Sequence, residues 1–364
     1  MRRKNNVEFL RFFFALMIVI HHSVVGGGQY LSWPHAYNGW LGCEFFFILS
    51  GYFMSMSLKT SENMVDDGKN KNDAFHESWN ETMASMQKHL FHCVKSIWGI
   101  YLLSSLQGCI IRNIFGMESD WLTQVKAIPG ELFLLQCLGV PVSSYTGVAW
   151  YLSAYLIAIF FIYPLLRRHF DVYSKYIAPI VSLAVWSTIL VTYGTLSVIM
   201  NWIGPFNCGV LRAVAAMSWG CFISSHAVNF DAIKKQMRIL LTIIELTLYG
   251  FIFYLMYIDG PEDRSWDSFI LILILFASAI TLSEISYSEK VFKLSIFGYL
   301  GKFSKYLFLN HFYWALVLPT TSVANAGKWV YFVLSICSSM IVYTISELIR
   351  KLSHRKLETI TYRK

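Results

Sequence analysis

Apolar positions along this chain form long unbroken runs, with no sustained alternation of the kind that strands show. Ten runs of about 17 to 21 residues are long enough, as helices, to cross a hydrocarbon core of about 30 Å. They predict an all-α polytopic membrane fold with spans at residues 7–25, 40–58, 91–111, 148–166, 176–195, 206–226, 239–258, 267–285, 303–319 and 329–348. A shorter apolar segment, 132–140, predicts a re-entrant or interfacial piece.

Composition supports this fold class and excludes a water-soluble one. Hydrophobic residues make up 55% of the 364 positions and charged residues only 14%, against about 25% charged residues in a soluble domain. Mean hydropathy is +0.48. The net charge of +8 would suit a nucleic-acid partner, but the basic residues form no single patch. We therefore expect the lipid bilayer as a partner and no nucleic acid.

Basic residues instead alternate between the segments that connect the spans. One set of alternate segments holds 21 Lys and Arg residues, and it comprises residues 1–6, 59–90, 167–175, 227–238, 286–293 and 349–364. The opposite set holds four, namely Arg112, Lys126, Arg264 and Lys328. Because Lys and Arg accumulate in short cytoplasmic loops, we predict an even number of spans and cytoplasmic termini.

The remaining organisation of the chain is simple, and we predict a single domain over 1–364 with no appended soluble domain. The first span predicts a retained anchor, because Gly26–Gly28 offers no small-x-small cleavage site. The polar stretch 61–86 predicts a flexible cytoplasmic loop. The seven cysteines contain no C-x-x-C pair, and we interpret them as packing residues with no metal site.

The first span carries ionisable side chains that are costly in a membrane, by about 2.5 to 3.5 kcal/mol each on insertion scales. Arg11 and His22 are eleven residues apart, and at about 100° per residue this spacing puts them on one helix face, about 16 Å apart. Glu8 lies on the same side and is placed to pair with Arg11. His21 points away from that line, and we interpret it as structural.

A carboxylate in the second span is predicted to lie near His22. Glu44 follows closely on the start of that span, and an antiparallel hairpin of the first two helices brings it to the depth of His22. Such a carboxylate holds an imidazole in one tautomer and raises its basicity. The alternative is that His22 and Glu44 only satisfy each other or line a polar cavity.

Other spans add weaker signals. An intramembrane arginine such as Arg212 marks function more often than not, and His311 lies in the middle of the ninth span. Trp150 and Tyr151 stand at the outer start of the fourth span, where such residues usually form an interfacial belt. The ninth span begins with Lys302 and Lys305. We expect both lysines to snorkel towards water.

The order and spacing of these residues resemble the membrane acyltransferase-3 family, whose members O-acylate bacterial cell-surface glycans. The resemblance covers nearly the whole chain. Its strongest elements are an Arg-x10-His pattern and a Gly-x-acid-x-Phe-Phe-x-x-Ser-Gly pattern, here Arg11 to His22 and Gly42 to Gly51. Weaker matches follow in order at Trp150-Tyr151-Leu152, Tyr163-Pro164, Arg212, Gly220, Gly301–Tyr306 and Asn310-His311.

Two positions depart from the family pattern. The acidic residue is usually Asp in the family and is Glu44 here, which preserves the charge on a side chain one methylene longer. In the third helix the family tends to show basic residues followed by Pro, whereas here Lys88 and Lys95 precede Trp98. The second departure weakens the assignment of a donor-binding role to this helix.

The resemblance implies an O-acyltransferase, most simply an O-acetyltransferase, that spans the bacterial cytoplasmic membrane several times. It implies acyl-CoA as co-substrate with no bound cofactor, and a hydroxyl of a cell-surface or lipid-linked glycan as acceptor. On this basis His22 acts as general base or acyl carrier with Glu44 orienting it, and Arg11 and Lys95 hold the donor. Contacts to the oxyanion or the acceptor are assigned to Ser50, Arg212, Trp150, Tyr151 and His311.

Two hypotheses from other classes stay open on the sequence. Central charges in ten helices also suit a transporter or flippase of a glycolipid or small metabolite. The absence of clear inverted repeats and the predicted histidine-carboxylate pair favour a catalyst over this alternative. A catalytically silent membrane sensor or assembly partner is the third hypothesis, and it requires the polar residues of the first two helices to be replaceable.

Overall fold

Helices dominate the computed structural model, which describes residues 4–23, 36–66, 78–117, 120–226, 233–258, 266–320 and 328–361. The first helices are α1 (Asn5–His22), α2 (Gly42–Asp66), α3 (Trp79–Ile114), α4 (Trp121–Leu132), α5 (Trp150–Arg168), α6 (Phe170–Val172) and α7 (Ala178–Tyr193). They are followed by α8 (Cys208–Ser225), α9 (Lys235–Ile258), α10 (Asp267–Leu282), α11 (Ser288–Val291), α12 (Ile296–Asn310), α13 (Phe312–Val317) and α14 (Lys328–Thr361). Strands β1 (Trp202–Ile203) and β2 (Phe206–Asn207) form a small antiparallel hairpin before α8.

Each of the ten predicted spans coincides with helical structure, but the helices differ in length. Seven in the described part of the chain are long and apolar enough to cross a membrane, namely Gly39–Thr60, Trp79–Ile114, Trp150–Arg168, Phe170–Tyr193, Cys208–Ser225, Lys235–Ile258 and Trp329–Ser353. The other three predicted spans correspond to α1, which carries charges, to the shorter α10, and to the interrupted pair α12 and α13. The helical, multi-pass character is confirmed, whereas the number ten and the cytoplasmic termini stay predictions.

The predicted loop 61–86 is shorter than expected, because helices enter it from both sides. Helix α2 continues to Asp66, and α3 already begins at Trp79. A capping box starts α3: Ser78 Oγ accepts a hydrogen bond from the Glu81 backbone N–H at 3.2 Å, and Glu81 Oε2 accepts one from the Ser78 N–H at 2.8 Å. Residues 67–77 lie outside the described residues. The Ser-x-x-Glu pattern was the signal in the sequence that predicts this helix start.

A short helix, α4, precedes the predicted re-entrant or interfacial segment 132–140, which itself consists mostly of turns and whose position in the membrane stays a prediction. Asp120 caps α4 by accepting a hydrogen bond from the Thr123 N–H at 3.0 Å. Near the end of α4 the buried carboxylate of Glu131 accepts from the Tyr101 hydroxyl at 2.7 Å and from the Ser144 N–H. These bonds attach α4 and the turns that follow it to α3.

Segments that the charge count assigns to one side of the membrane do lie together. Asn6 donates to the Ser288 hydroxyl at 2.9 Å, which joins the first and fifth of the predicted cytoplasmic segments. The guanidinium of Arg168 lies 4.4 Å from the ring centroid of Trp79, which joins the third segment to the second. Both contacts agree with the predicted sidedness.

Helices α2 and α8 pack most closely at two glycines. A Cβ atom on Gly51 would collide with the backbone carbonyl of Met217, and one on Gly220 with the backbone of Ile48. Such small residues let helix backbones approach in membrane proteins. The two helices therefore form a rigid pair, and each of them carries a charged residue of the site described below.

We expect Gly51→Ala and Gly220→Ala each to lower the free energy of unfolding by about 1 to 3 kcal/mol, because backbone atoms cannot move aside for the new methyl group. Thermal unfolding of purified protein in detergent measures the effect. Gly250→Ala is the matched control, since nothing lies within 4 Å of the position that a methyl group on this helical glycine would occupy. Equal melting temperatures for all three variants and the wild type would contradict the close packing of α2 and α8.

Candidate functional site

At the Arg11 end of α1, the charged side chains lie on one face of the helix, as predicted. Helix α1 runs unbroken from Asn5 to His22, so the spacing of eleven residues keeps Arg11 and His22 on one face. Arg11 Nη1 lies 3.2 Å from Glu8 Oε1, which confirms the predicted ion pair. The Nε atom of Arg11 is buried with no hydrogen-bond partner among the described residues, so one donor of this guanidinium is left without an acceptor.

A cavity of about 250 Å³ opens beside Arg11, between α1, α2, α3, α5 and α12. Its polar lining side chains are Arg11, Ser50, Tyr151, Tyr155, Ser304 and Lys305. The rest of the wall is apolar and includes Phe308. A mostly apolar cavity with a few convergent polar groups is typical of a small-molecule or cofactor site.

Only one of the two predicted donor-binding residues lines the cavity. Lys305, which we expected to snorkel towards water, lines the cavity with Arg11. Lys95 is exposed on α3 and does not line it, although the neighbouring Ile97 does. Lys305 is exposed, which agrees with the expected snorkelling, but its place beside the cavity was not predicted, because hydropathy does not specify which way a lysine side chain faces.

Ser50 and Tyr151 both reach the cavity, as a contact role requires. The Ser50 hydroxyl donates to the Phe46 carbonyl at 2.8 Å, which orients its oxygen within α2. The Tyr151 ring stacks on Phe47, with centroids 4.3 Å apart. These contacts hold both side chains in place without a ligand.

His22 lies at the far end of α1 and contacts a second histidine. Its Nδ1 atom is 3.0 Å from Nε2 of His311 and 3.0 Å from the carbonyl oxygen of Ile18. The ring of Phe312 packs edge-on against His22, with centroids 4.7 Å apart. His311 is fully buried, whereas His22 is partly exposed. The two imidazoles therefore form a pair with one accessible member.

The predicted ninth span is interrupted at His311, where α12 ends and α13 begins one residue later. The Asn310 side chain donates to the Tyr306 carbonyl at 2.8 Å, and His311 Nδ1 lies 3.1 Å from the Leu307 carbonyl. Those are the carbonyls that a continuing helix pairs with the backbone N–H groups of residues 310 and 311. Side chains thus bond to the last carbonyls of α12, and His311, which stands at the break, faces His22.

The His22 pair and the cavity are neighbours. The ring centroid of Phe308, which lines the cavity, lies 6.1 Å from that of His311. His22 itself is not among the described residues that line the cavity. One aromatic ring therefore stands between the space beside Arg11 and the two histidines.

Glu44 pairs with Arg212 and not with His22, which corrects the predicted histidine-carboxylate pair. Arg212 Nε lies 2.6 Å from Glu44 Oε1, and both side chains are at most 1% exposed. The guanidinium lies 4.8 Å from the ring centroid of Trp40 and 5.5 Å from that of Trp150. The prediction rested on the similar depth of His22 and Glu44 along the membrane normal. Depth alone does not specify which helix faces α2.

This ion pair also changes the roles assigned to Arg212 and Trp150. Both are buried, and neither lines the cavity among the described residues. Glu44 stands in the first turn of α2, where the helix dipole favours a negative charge. The Glu44-Arg212 pair joins α2 to α8. Among the described residues no cluster of three His, Cys, Asp or Glu side chains is placed to hold a metal ion.

The fold and site together define a helical membrane protein with a mostly apolar cavity that carries two cationic side chains and lies near a histidine pair. Comparison with known protein families matches residues 4–347 to the acyltransferase domain of the acyltransferase-3 family. The chain belongs to this family of membrane acyltransferases. No curated protein and no solved structure matches it.

Proposed function

We propose that this protein is an O-acyltransferase of the bacterial cytoplasmic membrane that moves an acyl group, most simply acetyl, from cytoplasmic acyl-CoA to a glycan hydroxyl. The observation that carries the proposal is the position of His22, a partly exposed imidazole held by His311 at the end of a helix face that begins with Arg11. The acceptor is a cell-surface or lipid-linked saccharide.

The cavity suits the acyl donor better than the acceptor. A CoA diphosphate is an anion, and two cationic side chains, Arg11 and Lys305, meet at the cavity. The pantetheine arm is thin and mostly uncharged, so it fits a cavity whose wall is mostly apolar. The distance of about 16 Å from Arg11 to His22 along α1 is a length that this arm can cover.

The transfer step needs one base beside the thioester. Nε2 of His22 takes the proton of the acceptor hydroxyl while the hydroxyl oxygen bonds to the thioester carbonyl carbon. The carbon-sulfur bond then breaks, and the proton passes to the departing CoA sulfur. The alternative is that Nε2 first bonds to the thioester carbonyl carbon while the carbon-sulfur bond breaks and CoA leaves as a thiolate. The hydroxyl oxygen then bonds to the acyl carbon, the carbon-nitrogen bond breaks, and the hydroxyl proton passes to the CoA thiolate. Tyr151 is a hydroxyl donor that the cavity offers to the developing oxyanion, whereas the Ser50 hydroxyl already donates to the Phe46 carbonyl.

Composition analysis of surface glycan from cells with and without this protein tests the proposed function directly. We expect an ester-linked acyl group to be lost in the deletion strain and restored by the wild-type chain. That result names the acyl group and the sugar together. Binding of labelled acetyl-CoA to the purified protein separates an acyltransferase from a transporter of glycolipids. Unchanged acylation in the deletion strain, with no acyl-CoA binding, would overturn the proposal.

Donor binding is expected to depend on the two cations of the cavity. Arg11→Ala and Lys305→Ala should each raise the KM for acyl-CoA by about 10-fold, because each removes a charge-assisted contact worth about 1.5 kcal/mol or more. Lys95→Ala is the matched control and should leave KM within twofold, since Lys95 is exposed away from the cavity. A KM effect at Lys95 with none at Lys305 would place the donor on the other face of α3.

A further inference from the structure

Hydrogen-bond partners determine which nitrogen of each site histidine carries the proton. A carbonyl oxygen only accepts, so His311 Nδ1, 3.1 Å from the Leu307 carbonyl, carries its hydrogen. In the neutral ring Nε2 of His311 then holds a lone pair. That lone pair faces Nδ1 of His22 at 3.0 Å. The contact is a hydrogen bond only if Nδ1 of His22 carries a hydrogen and donates it.

The same reasoning continues to His22. Its Nδ1 atom lies 3.0 Å from both the Ile18 carbonyl and Nε2 of His311, and both are acceptors. One hydrogen on Nδ1, shared between them, satisfies both contacts. A bare Nδ1 would set a lone pair against the Ile18 carbonyl. Nε2 of His22 is therefore the atom with the free lone pair, and it has no hydrogen-bond partner among the described residues.

We propose that His311 is a positioning residue that holds His22 in the tautomer with Nε2 unprotonated, and that it accepts a hydrogen bond from the imidazolium formed during transfer. This inference rests on the proposed function. It assigns to a neutral imidazole the task that a carboxylate performs in hydrolase triads. Glu44 is not available for that task, because its carboxylate pairs with Arg212.

The surroundings of His311 suit a positioning role. The residue is fully buried, and it occupies the single position between α12 and α13. The Leu307 carbonyl holds its Nδ1, while the Phe308 and Phe312 rings lie 6.1 and 6.4 Å from it. Phe312 also packs against His22. Both imidazoles are therefore oriented by the same short stretch of chain.

The decisive experiment compares two substitutions of similar size. His311→Leu removes the acceptor, and we expect kcat to fall by about 100-fold with the KM for acyl-CoA unchanged. His311→Gln keeps an acceptor oxygen, and kcat should stay within about 10-fold of the wild type. His92→Leu makes the same change at an exposed histidine of α3 and should have no effect. Membrane levels and melting temperatures of all variants are measured in parallel.

Three outcomes would overturn the inference: a His311→Leu enzyme as active as the wild type, a Gln variant as inactive as the Leu variant, or a rise in KM in place of a fall in kcat. Failure of the proposed function looks different, because then the wild-type protein itself transfers no acyl group. Nitrogen-15 NMR of the wild-type protein identifies the tautomer of His22 and requires no enzymatic activity. The His22 signal is assigned by its absence from the spectrum of the His22→Ala protein. A protonated Nε2 on neutral His22 would refute the assignment even if the Leu variant fails to fold.

Discussion

Replacing His22 by alanine is expected to reduce the rate of acyl transfer by about 10²- to 10⁴-fold, the range that a positioned general base contributes. His22 is the partly exposed member of the histidine pair, and its Nε2 atom has no hydrogen-bond partner among the described residues. The loss should appear in kcat, because the donor cations lie at the other end of the helix. Initial rates of label transfer from acyl-CoA to isolated glycan, at matched membrane levels, measure it.

His21→Ala provides the matched control for this prediction. His21 is the neighbouring residue, and its ring Nδ1 lies 3.0 Å from the Ala36 carbonyl instead of facing His311. Its removal should change the rate by only a few-fold. Normal acylation by His22→Ala protein would remove His22 from the reaction altogether, and equal losses in both variants would indicate a structural defect at the end of α1.

The same assay decides between the two chemical routes through His22. Without acceptor, a donor-loaded enzyme that forms an acyl-imidazole retains label on the protein after rapid quenching, and His22→Ala protein does not. Direct transfer leaves all label on CoA until the acceptor is added. Neither result alters the positioning role proposed for His311, because Nε2 of His22 is the reacting atom in both routes.

The second large effect is expected at the buried ion pair of Glu44 and Arg212. Glu44→Leu or Arg212→Met alone should lower the free energy of unfolding by about 3 to 5 kcal/mol, because each leaves the other charge buried without its partner. The double variant should be less destabilised than the sum of the two, since it leaves no unpaired charge. Thermal and denaturant unfolding in detergent measure all three.

An exposed ion pair on α14 serves as the control for this cycle. Arg350 Nη2 lies 2.5 Å from Glu347 Oε2, one turn earlier on α14, and the two side chains are 65% and 29% exposed. Its removal should change stability by about 0.5 kcal/mol or less. Single variants at Glu44 and Arg212 that are as stable as the wild type would show that the pair contributes nothing to holding α2 against α8.

Local features of the chain were predictable because each depends on residues close in sequence. Hydropathy located the helices, and a spacing of three residues predicted the Glu8-Arg11 ion pair. The spacing of eleven residues placed Arg11 and His22 on one face of a helix that is indeed unbroken. Turn positions were less accurate where a side chain caps a helix, as Ser78 does for α3.

Contacts between distant helices were not predictable in the same way. Glu44 and Arg212 are 168 residues apart, and His22 and His311 are 289 apart. Hydropathy specifies depth in a membrane, but several helices share each depth, and their rotations depend on packing at residues such as Gly51 and Gly220. The prediction therefore named His22, Glu44, Arg212 and His311 and paired the first two wrongly.

The sequence by itself determined that this is a helical membrane protein with a charged face on its first helix, because hydrophobicity and helical period are properties of consecutive residues. Only the tertiary structure decided that Lys305 joins Arg11 at the cavity, that Arg212 takes Glu44, and that His311, at the break after α12, faces His22. Those partners are chosen by close packing among helices far apart in the chain, where a rotation of one helix moves every side chain to a different neighbour.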